Sequence, residues 1–156
     1  MTPAENTASR SFVLLQVGER RFALPADIVT ELAPPVRLHT FPHTAPLVSG
    51  VIVRRAHIVP VYDASIVLTG KRIPAHRFYL IARREFGKTS EFSAIPVDGE
   101  CELATGQMQP AAPSHPKYVA GTLQVENETL DVLDFEALVT SQSTESTRAG
   151  DSETRA

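Results

Sequence analysis

The side chains able to do chemistry are few in this sequence, and their spacing works against it. Among five histidines, His39 and His43 stand four apart, a separation that on a helix would turn two imidazoles toward one metal ion. Pro42 and Pro46 make a helix there untenable, because proline removes a donor and clashes with the preceding turn. Scattered surface histidines are the better reading. Asp63 and Asp134 could be imagined as paired carboxylates for acid-base work, yet each falls where a strand runs into a helical turn and a carboxylate is wanted to accept from unpaired N–H groups. The single cysteine, Cys101, cannot close an internal disulfide and reads as a buried thiol in a reducing compartment. A G-x-S-x-G elbow, a glycine-rich phosphate loop, an H-E-x-x-H motif and a cysteine pair are all missing. The expectation is a protein without catalytic residues, cofactor or metal.

Composition points the same way. The 156 residues suffice for one domain or two small subdomains with a real core. A formal charge of −3 gives no overall attraction to phosphate, and aromatics at 6% leave little for base stacking, so nucleic-acid binding through a small arginine-bearing barrel is the weaker alternative. The amino terminus lacks a basic segment followed by an apolar one, and no run approaches the ~20 apolar residues of a membrane helix, so the expected place is the cytoplasm, without membrane insertion.

The elements that must position any binding residues are short. Residues 1–10 and 141–156 hold almost nothing to bury and are expected to be disordered, which leaves a folded body of about 11–140. Within it, runs of Val, Ile, Leu and Phe separated by turn residues predict an all-β fold. Residues 12–17 and 22–24 read as a hairpin around Gly18-Glu-Arg-Arg21, and Pro25 as the start of a short helix carrying Ile28, Val29 and Leu32 on one side. A second hairpin rises over 47–54, turns at Arg55-Ala56 and returns over 57–62, after which Asp63 caps a helical turn closed by Gly70.

Past a linker at 70–74 the order begins again: strands at 78–82 and 91–96 around a loop at 85–90, a short helical or irregular turn at 97–103, and a proline-bearing loop at 104–116. Strands at 118–125 and 129–133 and a helical turn at 134–139 then follow. Pro25 and Pro96 stand 71 positions apart, and the same offset lays Ala23, Leu24, Asp27, Glu31 and Leu32 on Ala94, Ile95, Asp98, Glu102 and Leu103. It also lays Val48, Gly50, Val61 and Asp63 on Val119, Gly121, Val132 and Asp134. One offset serving a proline turn, a glycine and a capping aspartate marks a duplication, with approximate half-domains 11–70 and 76–140. The first strands need a shorter offset, which the 85–90 loop would absorb.

Arginines gather in pairs at turns and strand ends. For Arg20-Arg21 and Arg83-Arg84 the reading is solubility and protection of strand edges. Arg54-Arg55 differs, because it tips a hairpin whose strands, VSGVIV and IVPV, are almost continuously apolar and need cover on both faces. Pro60 suits an edge strand bordering a groove. An apolar edge rimmed by arginine is a docking site for a partner helix or strand, which favours a binding module over an enzyme.

At this hairpin the chain resembles the CheW family of chemotaxis adaptors. Residues 47–68, LVSGVIVRRAHIVPVYDASIVL, are similar to a signature that reads approximately G-V-I-N-L-R-G-x-x-V-P-V-x-D-L, and Gly50, Val51, Ile52, Arg55, Val59, Pro60, Val61 and Asp63 match it. The likeness extends upstream through residues 12–25 and 29–32, and downstream through 94–99 and 118–121. What it implies is two pseudo-symmetric five-stranded SH3-like β-barrel subdomains with short helical segments and no enzymatic activity. The implied partners are the cytoplasmic tip of a chemoreceptor and the regulatory domain of a CheA-type histidine kinase, in chemotaxis or in a twitching-motility or other chemosensory-like pathway. The implied partner-binding residues are Arg55, Gly50, Val51, Val29 and Glu31. Where the signature has Asn-Leu before the arginine and Gly after it, this chain has Val53-Arg54 and Ala56, and alanine resists the positive φ glycine allows, so a remodelled turn is expected.

Overall fold

The computed structural model describes residues 9–40, 48–71, 78–86, 88–99 and 101–140. The tail at 141–156 and residues 1–8, read as disordered ends, lie outside that range, as do His43 and most of the 70–74 linker.

Alternating apolar residues pair the first strands, β1 (Arg10–Val17) and β2 (Arg20–Pro25), in register from Phe12 opposite Pro25 to Val17 opposite Arg20. Pro25 does open a helical turn, but it lasts only Ala26–Ile28. Val29–Ala33 is instead a strand, β3, where a helix was expected. The β-branched Val29 and Thr30 fit a pleat, and β6 (Phe78–Phe86) offers a ladder in which Val29 lies opposite Ala82 and Ala33 opposite Tyr79.

Next come β4 (Val48–Arg54), β5 (His57–Tyr62) and the helix α1 (Ser65–Thr69). Asp63 accepts from the N–H and hydroxyl of Ser65 at 3.1 and 2.7 Å, and Gly70, at φ 81°, returns its N–H to Ile66. β7 (Thr89–Val97) pairs with β6 as far as Phe86 opposite Thr89, so the loop expected at 85–90 is mostly ladder. The irregular region at 97–116 likewise holds two strands, β8 (Glu102–Gly106) and β9 (Met108–Pro110). β8 pairs with β1 and β9 with β10, which use up backbone groups a sequence reading leaves to solvent. β10 (Val119–Val125), β11 (Glu128–Leu133) and α2 (residues 135–140) complete the chain, with Asp134 accepting from the Ala137 N–H at 3.0 Å as the expected cap.

Two sheets result, in the orders β8-β1-β2-β11-β10-β9 and β3-β6-β7-β5-β4. The all-β fold of paired, pseudo-symmetric modules is the one expected, and the offset of 71 carries β4 onto β10 and β5 onto β11 end to end. A bulge at Val48/Gly50 recurs at Val119/Gly121. The parallel contact of Val61 with Ala94 recurs as Val132 with Ala23. One sheet has six strands rather than five, but β9 has a counterpart: His39 exchanges two backbone hydrogen bonds with Val51, at 2.8 and 2.9 Å, and so joins the run after β3 to the far edge strand β4. Both sheets thereby curl into barrels.

The barrels do not coincide with residues 11–70 and 76–140. Strands β3 to β7 make one, whereas β1 and β2 cross over to join β8 to β11 in the other. Phe12, Leu14, Ala23, Leu123, Leu130 and Val132 fill the first barrel, and Ala33, Ile52, Val59, Val61, Ile81 and Ala94 the second. A larger cluster, including Leu15, Phe22, Leu24, Leu80, Ile95, Leu133 and Leu138, lies between them and is contributed by strands of both and by the two helices. The barrels therefore share a core.

Charged residues complete the seam. Arg84 was read as a solubility arginine, but only 7% of its side chain is exposed, and it donates twice to the Glu136 carboxylate, at 3.0 Å from both Nε and Nη2. Its Nη1 lies 3.4 Å from the Tyr62 hydroxyl. Arg20 donates to the Leu68 carbonyl at the end of α1 (2.8 Å) and lies over the Phe22 ring. Among the described residues no helix is long and apolar enough to cross a membrane, and no group of three or more His, Cys, Asp or Glu side chains is placed to hold a metal.

Candidate partner interface

The β4–β5 hairpin turns in two residues, Arg55 at φ 51° and Ala56 at φ 68°. Two positive φ values in a two-residue loop make the primed turn whose twist matches that of the strands it joins. The alanine was expected to remodel this turn and does not. Five consecutive opposed residue pairs, Gly50 with Val61 to Arg54 with His57, fix the register, and Ala56 follows into the left-handed region at a cost of roughly 1 kcal/mol. Ala56→Gly is accordingly expected to raise stability by about 1 kcal/mol, read as an increase of several degrees in melting temperature with partner binding unchanged. An unchanged or lowered melting temperature would show that the turn carries no strain.

The turn presents Arg55 outward, its side chain 76% exposed. Closure of the barrel brings Glu31, on β3, beneath it. The Glu31 carboxylate takes a close ion pair from Arg54 Nη2 on Oε2 and a longer one from Arg55 Nε on Oε1, at 3.4 Å. Only 18% of the Glu31 side chain is exposed. The hydrogen bond from Arg54 holds its carboxyl below the usual carboxylate range, against the opposing effect of burial, with the charges of both arginines adding to the lowering.

Side-chain alternation explains what surrounds this pair. Arg54 lies two residues past the inward-facing Ile52, His57 two before Val59, and Phe92 two before Ala94, so all three continue the inner face of the second barrel to its open end. Together with Glu31, Ile81 and Val59 they line a groove at the barrel mouth, where the rings of His57 and Phe92 stand 6.1 Å apart. On the outer face of the same hairpin, Val53 (52% exposed) lies opposite Ile58 (71% exposed), and Val51 opposite Pro60. An apolar margin rimmed by arginine is therefore present, but the strand at the sheet edge is β4 and not the Pro60 strand β5 expected there, which lies between β4 and β7.

The residues named from the sequence divide into three groups. Glu31 and Arg55 meet at the barrel mouth. Gly50 and Val51 lie toward the other end of β4: Gly50 is buried where an added Cβ would stand 2.4 Å from the His39 carbonyl oxygen, and Val51 is the partner of His39 in the closing bridge. Val29, the first residue of β3 and two before Glu31, packs against the core between the barrels. Arg54 was read only as half of the Arg54-Arg55 pair at the hairpin tip, and His57 and Phe92 were not singled out, although period-two counting from the buried Ile52, Val59 and Ala94 places all three at the mouth. The first barrel's mouth differs in charge. There Glu102, which the offset of 71 equates with Glu31, meets Arg21, and Arg21 also reaches Glu128 at 2.7 Å.

A family model described as CheW-like domain matches residues 11–143. Among solved structures, the chain is similar to the crystal structure of the scaffolding protein TtCheW from Thermoanaerobacter tengcongensis, with a TM-score of 0.70 and 18% identity over 83% of this chain and 86% of that one. At that identity the likeness is one of fold. No curated protein sequence matches the chain significantly.

Proposed function

We propose, on the premise that this chain belongs to the CheW-like domain family, that it is a non-catalytic adaptor coupling chemoreceptors to a CheA-type histidine kinase. The observation that carries the reading is the hairpin tip, where an exposed arginine at the family's signature position stands on a left-handed turn and leans on a half-buried glutamate. A surface of this kind offers directional charge beside apolar strand margins, which suits protein recognition. In this reading Arg55 and Glu31 contact the receptor's cytoplasmic tip or the kinase's regulatory domain. Val51, farther along β4 opposite Pro60, extends the apolar margin away from that contact, Val29 packs β3 against the shared core, and Gly50 holds the strand that bears Arg55.

The test is a three-component pull-down of this chain with a receptor cytoplasmic fragment and a kinase regulatory domain. Arg55→Glu should leave the melting temperature within a few degrees, since a turn side chain this exposed contributes little to stability. It should also reduce recovery of the ternary complex at least about tenfold, the effect of like charge placed at an interface. Full recovery with Arg55→Glu would remove this site from the mechanism.

A further inference from the structure

At the mouth of the second barrel two guanidinium groups share one carboxylate. Arg54 holds Glu31 closely, and its own Nε is buried without a hydrogen-bond partner, while Arg55 reaches the same carboxylate only through Nε, at 3.4 Å. The Glu31–Arg54–Arg55 cluster therefore carries one net positive charge, before any contribution from His57 beside it. The groove below is apolar, floored by Val59 and Ile81 and walled by the half-exposed Phe92. Charge above and hydrocarbon below define the complement: a carboxylate-bearing side chain next to an aliphatic or aromatic one.

We infer that Arg54 is a specificity-determining residue. By taking up Glu31 it leaves Arg55, and one uncompensated positive charge, to an acidic side chain on a docking protein segment whose apolar neighbour seats against Phe92. With Arg54 absent, Glu31 would neutralise Arg55, and the mouth would present no net charge. The inference deepens the adaptor reading and rests on it.

A receptor cytoplasmic fragment and an isolated kinase regulatory domain are titrated separately with the full-length wild type, Arg54→Met and Arg54→Lys, each at about 50 and 300 mM salt, where screening lengths differ by more than twofold. Melting curves establish that the variants fold. For the probe that engages this mouth, Arg54→Met is expected to bind about fivefold more weakly at the lower salt and with a flatter salt dependence. Arg54→Lys, which keeps the charge, should restore most of both. A loss through packing alone would not flatten the salt dependence and would not be rescued by lysine. Binding by Arg54→Met with the wild-type affinity and salt slope overturns the inference while leaving the adaptor reading standing. Failure of the wild type to bind either probe overturns both.

Discussion

Gly121→Ala is expected to cost on the order of 3–5 kcal/mol, the upper range for a single substitution and a large fraction of the stability of a domain this size. The reason is backbone proximity. A Cβ at Gly121 would lie 2.2 Å from the Gln109 carbonyl oxygen and 2.8 Å from Met108 Cγ, and backbone in a ladder cannot swing away as a side-chain tip can. Accepting the methyl means parting β9 from β10 and opening the first barrel along the line that closes it. Gly99→Ala is the control, since nothing lies within 4 Å of its added Cβ. Denaturant midpoints should fall sharply for the first variant and barely move for the second. Equal midpoints would mean that β9 is dispensable to closure. Gly50 meets the His39 carbonyl in the same way, so the pseudo-symmetry extends to the need for glycine at both bulges.

Glu136→Ala is expected to destabilise by about 2 kcal/mol, and by more than Arg84→Met does. Removing Glu136 strips the buried Arg84 of its bidentate carboxylate, whereas replacing a buried charge itself with an apolar chain is often close to neutral. Glu136 is half exposed, so water offsets part of the loss and keeps the figure below the range for fully buried pairs. Arg84 retains the Tyr62 hydroxyl and a position 5.8 Å from that ring, which limits the damage further. In the double-mutant cycle, Arg84→Met should recover part of the stability lost in Glu136→Ala. If Glu136→Ala unfolds at the wild-type denaturant concentration, the ion pair does not hold α2 against the second barrel.

How much of this was legible beforehand follows from what local patterning encodes. Apolar runs broken by turn residues placed the β1–β2, β4–β5 and β10–β11 hairpins, and the repeated spacing of 71 exposed the duplication. Such patterning says nothing about which hairpin lies beside which, and the crossing of β1 and β2 into the later sheet depends on two parallel contacts, at Ala23 with Val132 and Ala94 with Val61, that have no local signature. The extension of β6 and β7 was hidden for a different reason. Arg83 to Ser90 is polar and reads as loop, yet Arg84 is buried because Glu136, 52 positions away, neutralises it. Glu102–Gly106 has too few apolar residues to read as a strand, and its Leu103 is 77% exposed. It is a strand because β1 has an open edge to offer it. At the site, the family signature supplied Arg55, whereas the pairing of Arg54 with Glu31 needed the geometry of a closed barrel.

The crossed arrangement of the sheets also fixes an order of assembly during synthesis. Every strand of the second barrel lies within residues 29–97, so that module is complete in sequence before the last third of the chain leaves the ribosome. The first barrel is not, because its opening hairpin must wait for β11 to emerge more than a hundred residues later before Phe22 meets Asp131. Until residues 102–106 emerge the nascent N-terminal hairpin has neither β8 nor β11 beside it, and its β2 edge stays open until β11 follows; this is the interval in which the protein is most open to mispairing with another chain.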